Sequence, residues 1–368
     1  MTTMMVTRYM KIKLQFCQRL HTWNHLRKHY TTKSGDLVFV SLSNDIFMNL
    51  AFEDWLYENE NLKTKSILLM WKNNPTVVIG RHQNPYLECD VWKIAKNNLS
   101  LARRKSGGGA VYHDEGNLNC SFIKDRSLYN RYRNLDLVVE ALSSRWNIDL
   151  SINTREDILL DGFYKVSGTA SKLGRNTTIT ISPLYLIPMS MVGVHSRATQ
   201  SLKSRVKNLS DSIPGVTYDS LVDVIGHQFL KGKKNMDNFQ FINPSEAQFP
   251  GLQKIYNELC DWEWIYGRTP NFSLTRHFAK NLEYYIEHQI TINVNIEKGR
   301  ISKIDIETNF NEIYLKIRPL IQEHLIGTRF WFNDLQMSLD TIKQESRHFG
   351  EIELHSWIVS CLSKILCV

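Results

Sequence analysis

Short polar turns separate apolar, β-branched segments in the first half of this chain, and they constrain its fold more than any other feature. Ile67–Trp71 and Thr76–Ile79 flank one such turn. Gly109–His113 and Leu118–Ile123 flank a second, and Asp161-Gly162 is a third, of a type typical of tight hairpins. Hairpins join antiparallel strands, whereas parallel strands need long crossover connections. The sequence therefore predicts an α/β (α+β) fold, with a mixed, mainly antiparallel sheet flanked by helices, and not a doubly wound parallel sheet.

Helical and alternating patterns divide the rest of the chain. Apolar residues recur at helical spacing in four segments; these are 46–55, Tyr86–Asn97, Leu135–Trp146 and Tyr218–Leu230. Strict alternation from Ile290 to Ile296, a turn at Glu297-Lys298-Gly299 and later helical stretches predict a small C-terminal α+β module. Gly, Pro and Asn cluster near 267–272, so we place the domains at 36–270 and 271–368.

Basic residues are concentrated at the N-terminus. Residues 1–35 hold seven of the 45 Lys and Arg residues and no Asp or Glu, which leaves 38 basic against 37 acidic residues elsewhere. The formal net charge of +8 therefore belongs to the leader, and a nucleic-acid function is not expected. This composition is typical of a mitochondrial transit peptide, so we predict one over 1–35 and a location in the mitochondrial matrix. A disordered basic tail and a misassigned start codon are the alternatives.

Two further classes of site are not expected. No apolar run reaches the roughly 18 residues of a membrane span. The six cysteines show no metal-ligand spacing and no dense disulfide framework, which fits a reducing compartment and predicts no metal site.

A glycine run carries the first motif with chemical meaning. Arg103-Arg104-Lys105-Ser106-Gly107-Gly108-Gly109 combines a basic cluster with a loop whose backbone N–H groups can face an anion. It matches neither the Walker pattern nor the dinucleotide fingerprint, because it lacks their spacing and runs into a strand. By spacing alone, a flexible turn beside surface arginines explains it equally well.

A lysine carries the second motif. Lys165 ends a hairpin strand and precedes the small-residue turn Val166-Ser167-Gly168-Thr169-Ala170. An ammonium group placed in a cleft stabilises negative charge on phosphoryl and carbonyl oxygens. An isolated lysine is more often simply solvated on an edge strand.

Together the two segments resemble the lipoate–protein ligase and lipoyltransferase family, whose pattern is Arg-x-Ser-Gly-Gly-Gly-Ala-Val-Tyr/Phe-His-Asp followed by Lys-Ile/Val-Ser-Gly-Thr/Ser-Ala. Further segments resemble the animal lipoyltransferase branch in order and spacing, and they are Asn44–Leu56, Ile79–Pro85, Val206–Leu209 and Trp262–Gly267. The resemblance runs from about Val38 to about Phe272. It implies the catalytic fold of biotin and lipoate ligases with a small C-terminal accessory domain.

The resemblance also implies a substrate and the residues that hold it. Lipoyl-AMP would be bound as substrate, with Lys165 as the catalytic residue and no tightly bound cofactor or metal. The implied lipoyl-AMP contacts are Arg104, Ser106, Gly107, Gly108, Gly109, Ala110, Val111, Tyr112, Arg155, Lys165 and Thr199. Gly80–Asn84 would support the acyl tunnel, to which Trp71 and Val77–Ile79 either contribute or belong as plain core. The acceptors would be lipoyl domains of 2-oxoacid dehydrogenase acyltransferase subunits and the glycine-cleavage carrier, and the enzyme a monomer.

One stretch departs from the family pattern. Where the family has Tyr-His-His-x-Thr-Leu-Leu, this chain has Thr178–Pro188, with no His-His pair. Pro183 and Pro188 are unfavourable in a central strand. A local reading-frame error in the gene and genuine divergence are the two explanations, and sequencing the transcript decides between them.

Other functions stay open at this point. A full ligase would make lipoyl-AMP itself from lipoate and ATP with Mg²⁺. An octanoyl carrier-to-carrier amidotransferase would work through a thioester, with Cys89 or Cys120 as the cysteine near the motifs. A biotin ligase is disfavoured by the Ser-Gly-Gly-Gly loop. A non-catalytic binding protein with a decayed site has only the altered strand in its support.

Overall fold

The computed structural model describes residues 35–175, 177–185, 205–231, 238–281, 287–349 and 352–366. The strands are β1 (Leu37–Ser41), β2 (Ile67–Trp71), β3 (Thr76–Ile79), β4 (Ser100–Arg103), β5 (Val111–His113), β6 (Asn117–Asp125), β7 (Leu150–Ile152), β8 (Ile158–Leu160), β9 (Tyr164–Lys165), β10 (Ala170–Leu173), β11 (Thr177–Tyr185), β12 (Phe239–Ile242), β13 (Phe272–Asn281), β14 (Glu287–Glu297) and β15 (Arg300–Thr308). The α-helices are α1 (Ile46–Asn59), α2 (Pro85–Glu88), α3 (Val91–Lys96), α4 (Arg131–Trp146), α5 (Tyr218–Phe229), α6 (Leu252–Cys260), α7 (Trp262–Ile265), α8 (Asn311–Leu325), α9 (Phe332–Glu345) and α10 (Ile352–Leu366). The predicted transit segment, apart from Gly35, lies outside the described residues.

A six-stranded sheet organises the catalytic half of the chain. Its order is β10-β11-β6-β2-β1-β12. β1 runs parallel to β2 and to β12, whereas β2, β6, β11 and β10 pair antiparallel. The mixed, mainly antiparallel arrangement predicted from the turns is confirmed.

The predicted pairing partners were right for one turn and wrong for two. β8 and β9 form the expected hairpin around Asp161-Gly162, where both residues have positive φ. β2 and β3 do not pair, because β3 belongs to a separate three-stranded sheet, β4-β3-β5. β5 and β6 also separate, since β5 pairs with β3 and β6 with β2 and β11. The polar segments at 72–75 and 114–116 therefore lead the chain from one sheet to another.

The two faces of the six-stranded sheet carry two apolar cores. One core lies between the sheet, α1, α6 and the β4-β3-β5 sheet, and it includes Trp71 and Val77–Ile79. The other lies under α4 and α5. The predicted helix at Tyr86–Asn97 is broken into α2 and α3, because Asn84 and Asp90 each cap a separate helix with a side-chain oxygen.

The altered strand is part of the central sheet. β11 runs antiparallel between β10 and β6, with Pro183 opposite Asn119. Proline contributes no N–H to such a ladder, yet the strand continues to Tyr185. Pro183 therefore lies in a central strand although proline is unfavourable there, and Pro188 lies outside the described residues.

The C-terminal unit, defined here as described residues 272–366, has a third core of its own. β13, β14 and β15 form an antiparallel sheet against α8, α9 and α10. The predicted turn at Glu297-Lys298-Gly299 joins β14 to β15, with positive φ at Lys298 and Gly299. The exact domain boundary at residue 270 stays a prediction. Within the ranges described, no helix combines the length and apolarity needed to cross a membrane.

Candidate active site

The glycine loop is wedged against the segment that follows β3. A Cβ built on Gly80 would lie 2.1 Å from the carbonyl oxygen of Gly108, so only glycine permits this approach. The Arg81 amide donates to the Ser106 carbonyl at 2.9 Å. Gly108 has φ +95°, a region that favours glycine. The loop is therefore a built element held between two backbone segments, and the flexible surface turn considered from spacing alone does not describe it.

Arg104 holds the loop from inside. Its side chain is buried, and Nε and Nη2 donate to the Gly107 carbonyl at 3.0 and 2.7 Å. Nη2 also donates to Gly109 at 2.8 Å, and Nη1 donates to Val78 at 3.2 Å. Burial lowers the pKa of Arg104 to about 10, and the nearby Glu53 opposes that change. The guanidinium shapes the loop and places a positive charge beneath it, while its direct contact with a ligand stays a prediction.

Arg103 is a second buried arginine, and the sequence analysis gave it no role. Nη1 donates to the carbonyls of three residues of one loop, Gly80, Arg81 and Gln83, at 2.7–3.3 Å. Nε donates to Ile265 at 2.8 Å. Burial lowers the pKa of Arg103 to about 10. Because Arg104 and Lys105 follow it, Arg103 looks in the sequence like part of a basic surface cluster. The structure shows instead that the Arg103 side chain, at the end of β4, is buried.

Lys165 is held by a buried carboxylate. Its Nζ lies 2.8 Å from Asp157 Oδ1, and the lysine side chain is 19% exposed against 8% for Asp157. The backbone of Lys165 also bonds to Arg205 and Lys207 on the neighbouring segment. Lys165 is therefore not a freely solvated lysine on an edge strand, because it pairs with a buried carboxylate. It is also not fully buried, because part of its side chain reaches solvent. It retains donors for an incoming anionic group.

The lysine segment and the glycine loop meet, as the combined motif requires. β10 begins five residues after Lys165, and the Ser171 carbonyl accepts from the Gly107 amide at 3.4 Å. A Cβ on Gly108 would lie 3.5 Å from the Ala170 Cβ. The segment that starts at Lys165 therefore ends against the loop, and two motifs about 60 residues apart border one site.

Acidic residues of α1 complete the surroundings of the loop. Asp54 is buried and pairs with Lys172 at 2.8 Å and Lys105 at 3.3 Å. The Lys172 ammonium lies 3.9 Å from the centre of the Tyr57 ring. Lys105 also reaches Glu258 at 3.5 Å. One buried carboxylate thus fixes two lysines, one from each motif segment, beside the loop.

Glu53 lies next to Asp54 but faces the core. It accepts a short hydrogen bond from Ser121, whose hydroxyl in turn accepts from Trp71 Nε1 at 3.1 Å. Burial raises the pKa of Glu53 to about 7, and Asp54 adds to that effect, whereas Ser121 and Arg104 oppose it. A buried carboxyl group with a raised pKa therefore lies close enough to Arg104 to interact with it electrostatically.

Several buried polar atoms on this side of the sheet have no hydrogen-bond partner within the described part of the chain. They include Ser106 Oγ, His113 Nε2 and both side-chain polar atoms of Asn117. Burial lowers the pKa of His113 to about 3, so the imidazole is neutral. Buried polar groups are normally satisfied. Ser106 precedes the three glycines directly, so its unpaired hydroxyl is suited to a polar ligand bound at the loop.

The cysteines near the motifs are poor nucleophiles. Cys89 and Cys120 are buried, and burial raises the pKa of each thiol to about 12. The thiolate is the reactive form, so neither residue is built for covalent catalysis. In the part of the chain that the structure describes, no group of three or more His, Cys, Asp or Glu side chains is arranged to hold a metal ion.

The remaining predicted contacts are placed as follows. Tyr112 and Val111 lie on β5 opposite Val77 and Val78, directly after the loop. Arg155 is exposed two residues before Asp157, on the turn that supports Lys165. Thr199 lies outside the described residues. The sequence analysis missed Glu53, Asp54, Arg103 and Asp157, of which Glu53 and Asp54 stood inside a quoted family segment without a role.

Comparisons with known proteins agree with this geometry. Residues 45–230 match the lipoyl protein ligase A/B catalytic domain. The chain is 40% identical over 313 residues to mitochondrial lipoyl amidotransferase LIPT1 of Homo sapiens, covering 82% of this chain and 83% of that protein. It is 30% identical over 340 residues to lipoate-protein ligase A of Bdellovibrio bacteriovorus, covering 87% and 97% respectively.

Solved structures show the same fold. P. falciparum LipL1, in complex with lipoate, is similar with a TM-score of 0.56 and 25% identity, covering 89% of this chain and 100% of that one. A lipoate-protein ligase A bound with ATP gives a TM-score of 0.52 with 23% identity, over 63% and 98%, which supports the fold alone. The resemblance inferred from the two motifs is confirmed. The chain is an acyltransferase and belongs to the lipoyl protein ligase A/B catalytic domain family.

Proposed function

We propose that this enzyme transfers an acyl group from its acyl-AMP to a lysine of lipoyl carrier domains: a lipoyl group from lipoyl-AMP, or an octanoyl group from octanoyl-AMP. The observation that carries the proposal is the junction of the two motifs, where the Gly107 amide meets Ser171 and Lys165 lies at the start of the same segment. We further propose that the acceptors are the lipoyl domains of 2-oxoacid dehydrogenase acyltransferases and the glycine-cleavage carrier. The names of two relatives, both called mitochondrial, support a mitochondrial location. We further propose that the enzyme acts in the matrix and as a monomer.

The proposed chemistry needs no covalent enzyme intermediate. Lipoyl-AMP is a mixed anhydride, so the acceptor amine attacks its carbonyl carbon, a C–N bond forms and the C–O bond to phosphate breaks. AMP leaves, and the amine loses its proton to solvent. Lys165 would neutralise charge developing on the carbonyl and phosphate oxygens, and the loop amides and Ser106 Oγ would hold the same oxygens. The high thiol pKa values of Cys89 and Cys120 fit a route without a thioester on the enzyme.

Two other donors lead to the same acceptor. The relatives named lipoyl amidotransferase favour an acyl group supplied as an amide on another carrier protein. The relatives named lipoate-protein ligase favour lipoate with ATP and Mg²⁺. Both routes would use the same glycine loop and Lys165 as the lipoyl-AMP route. The three routes differ in the acyl donor that the acceptor amine attacks and in how that donor is made.

The test uses the chain without its leader and an apo lipoyl domain. Parallel reactions receive lipoyl-AMP, or lipoate with ATP and Mg²⁺, or a lipoylated carrier protein, and intact mass of the domain is the readout. Modification with lipoyl-AMP supports the proposal, and modification with only one of the other donors replaces it with that route. Folded enzyme that modifies the domain with none of the three contradicts all of them.

A lysine pair tests the assignment of the site. Lys165→Met should abolish transfer, because it removes the ammonium group that we propose to stabilise the developing negative charge. Lys207→Met is the matched control, since Lys207 lies on the adjacent segment and forms a looser pair with Asp161 at 3.8 Å. Equal activity of the two variants would show that Lys165 is not the catalytic residue.

A further inference from the structure

An aromatic junction joins the catalytic half to the C-terminal unit. Tyr86 packs edge-on against Phe330 with ring centres 4.9 Å apart, and also contacts Phe272 at 5.6 Å. Tyr266 packs against Trp331 with ring centres 5.0 Å apart and ring planes tilted by 48°. Aromatic pairs at these distances contribute beyond the area they bury. The C-terminal unit is therefore docked through several rings rather than tethered by a loop.

Tyr86 adds a polar contact to this junction. Its hydroxyl donates a short hydrogen bond to the carbonyl oxygen of Phe330. The Phe330 amide donates to Gly299 at 2.8 Å, so the acceptor is itself fixed by the β14–β15 turn. Burial raises the pKa of Tyr86 well above its ordinary value, so the hydroxyl remains a neutral donor. This hydrogen bond fixes the position of the Tyr86 side chain more strictly than ring packing alone would.

Tyr86 follows directly on the segment that supports the glycine loop. Its amide is capped by Asn84 Oδ1 at 3.0 Å, and the preceding residues form a turn in which the Gln83 amide donates to Gly80. That turn places Gly80 against Gly108 and aligns Arg81 with Ser106. Only five residues therefore lie between Tyr86, whose ring is at the junction, and Gly80, which touches the glycine loop.

Arg103 braces the same connection. It bonds to the turn through Gly80, Arg81 and Gln83, and to the start of the junction through Ile265 and Thr269. The next residue along the chain holds the glycine loop itself. A fully buried guanidinium is stabilised here by backbone carbonyls and one hydroxyl, and its loss would leave several carbonyls unpaired.

We infer that Tyr86 is a positioning residue through which the C-terminal unit fixes the glycine loop, with Arg103 as the brace. The C-terminal unit then contributes to donor binding without touching the donor. The inference relies on the proposed function only for the identity of that donor. The conformation of the loop is a property of the free enzyme and is measurable without any donor.

The experiment compares Tyr86→Phe with two control variants of the same junction in the full enzyme without its leader. Tyr86→Phe retains the ring and removes the bond to Phe330. Trp331→Leu removes ring contacts with Tyr266 and Trp92 at the same junction, and Trp331 is not part of the segment that supports the glycine loop. Glu263→Gln breaks the ion pair with Arg300, 2.5 Å long, at the same junction. Hydrogen exchange of the peptide covering 104–110, the Michaelis constants for lipoyl-AMP and for the acceptor domain, and the melting temperature are measured for each.

The inference makes a selective prediction. Tyr86→Phe should speed exchange of the loop peptide and raise the Michaelis constant for lipoyl-AMP about fivefold, as expected for one neutral hydrogen bond. The constant for the acceptor should not change, and neither control should alter loop exchange. Unchanged loop exchange in Tyr86→Phe, or equal acceleration in Trp331→Leu, overturns the inference. Inactive wild type with lipoyl-AMP would instead contradict the proposed donor, and loop exchange would still decide the role of Tyr86.

Discussion

Glu53→Gln should change how the stability of this enzyme depends on pH. Glu53 is 4% exposed and accepts a hydrogen bond from Ser121. Burial raises its pKa from the ordinary 4.5 to about 7. Glutamine keeps the shape and an oxygen acceptor for Ser121, but it cannot ionise. The variant therefore removes one titration from the folded state and little else.

The size and sign of the effect follow from linkage. Below pH 4.5 the carboxyl group is protonated in both states, so Glu53 contributes no pH dependence there. Between pH 4.5 and 7 the folded state keeps a proton that the unfolded state loses, so stability falls as pH rises. At about 1.36 kcal/mol for each pKa unit, the loss reaches about 3 kcal/mol once the pH exceeds 7. Relative to wild type, Glu53→Gln should gain about 3 kcal/mol between acidic and neutral pH.

Urea unfolding across about pH 5 to 8, followed by tryptophan fluorescence and far-ultraviolet circular dichroism, measures this difference. His113 acts in the opposite direction, because its pKa is lowered to about 3 and stability is lost as pH falls below 6.5. That contribution is common to both proteins and cancels in the comparison. Glu58→Gln, exposed on the same helix, is the matched control. A stability difference for Glu53→Gln that does not vary with pH would refute the argument.

Three other changes test the site. Gly80→Ala should lower the free energy of unfolding by about 1–3 kcal/mol because its Cβ would meet the Gly108 carbonyl, whereas Gly109→Ala meets nothing within 4 Å and should unfold like wild type; equal loss in both variants would refute this reading. Asp157→Asn removes the buried partner of Lys165 and should cost about 2 kcal/mol in urea unfolding along with most of the activity, while the more exposed Asp161→Asn should cost under about 1 kcal/mol. Asp54→Asn leaves Lys105 and Lys172 without their shared buried carboxylate and should cost about 3 kcal/mol or more by the same assay; a smaller loss would mean that water replaces the pairing.

The sequence predicted the elements of the fold better than their pairing. Apolar periodicity located α1, α4 and α5 to within a few residues, because one buried face fixes each pattern. The polar turn between β2 and β3 wrongly predicted a hairpin. Trp71 belongs to the six-stranded sheet, whereas Thr76 belongs to the three-stranded β4-β3-β5 sheet. A short polar connection is compatible with a hairpin and with a change of sheet, and only the whole core decides between them.

The candidate site divides in a similar way. The glycine loop and Lys165 were found from local motifs, and the structure brings their segments together. Arg103 and Asp157 were missed, because their importance comes from partners that are distant in sequence or hidden by folding, such as Ile265 for Arg103. An arginine whose partners are backbone carbonyls has no sequence signature, because any other residue in the chain can supply the carbonyl acceptor.

The pairing of β1 with β12 has a consequence for how the chain folds. Val38 lies opposite Phe239, about 200 residues later, so one edge of the large sheet cannot form until most of the catalytic half is available. Closing so long a loop is entropically unfavourable, and contacts this distant in sequence slow folding. The apolar edge of β1 stays open to pairing with other chains during that interval. The C-terminal unit is built from strands and helices that are neighbours in sequence, so we expect it to fold before the large sheet is complete.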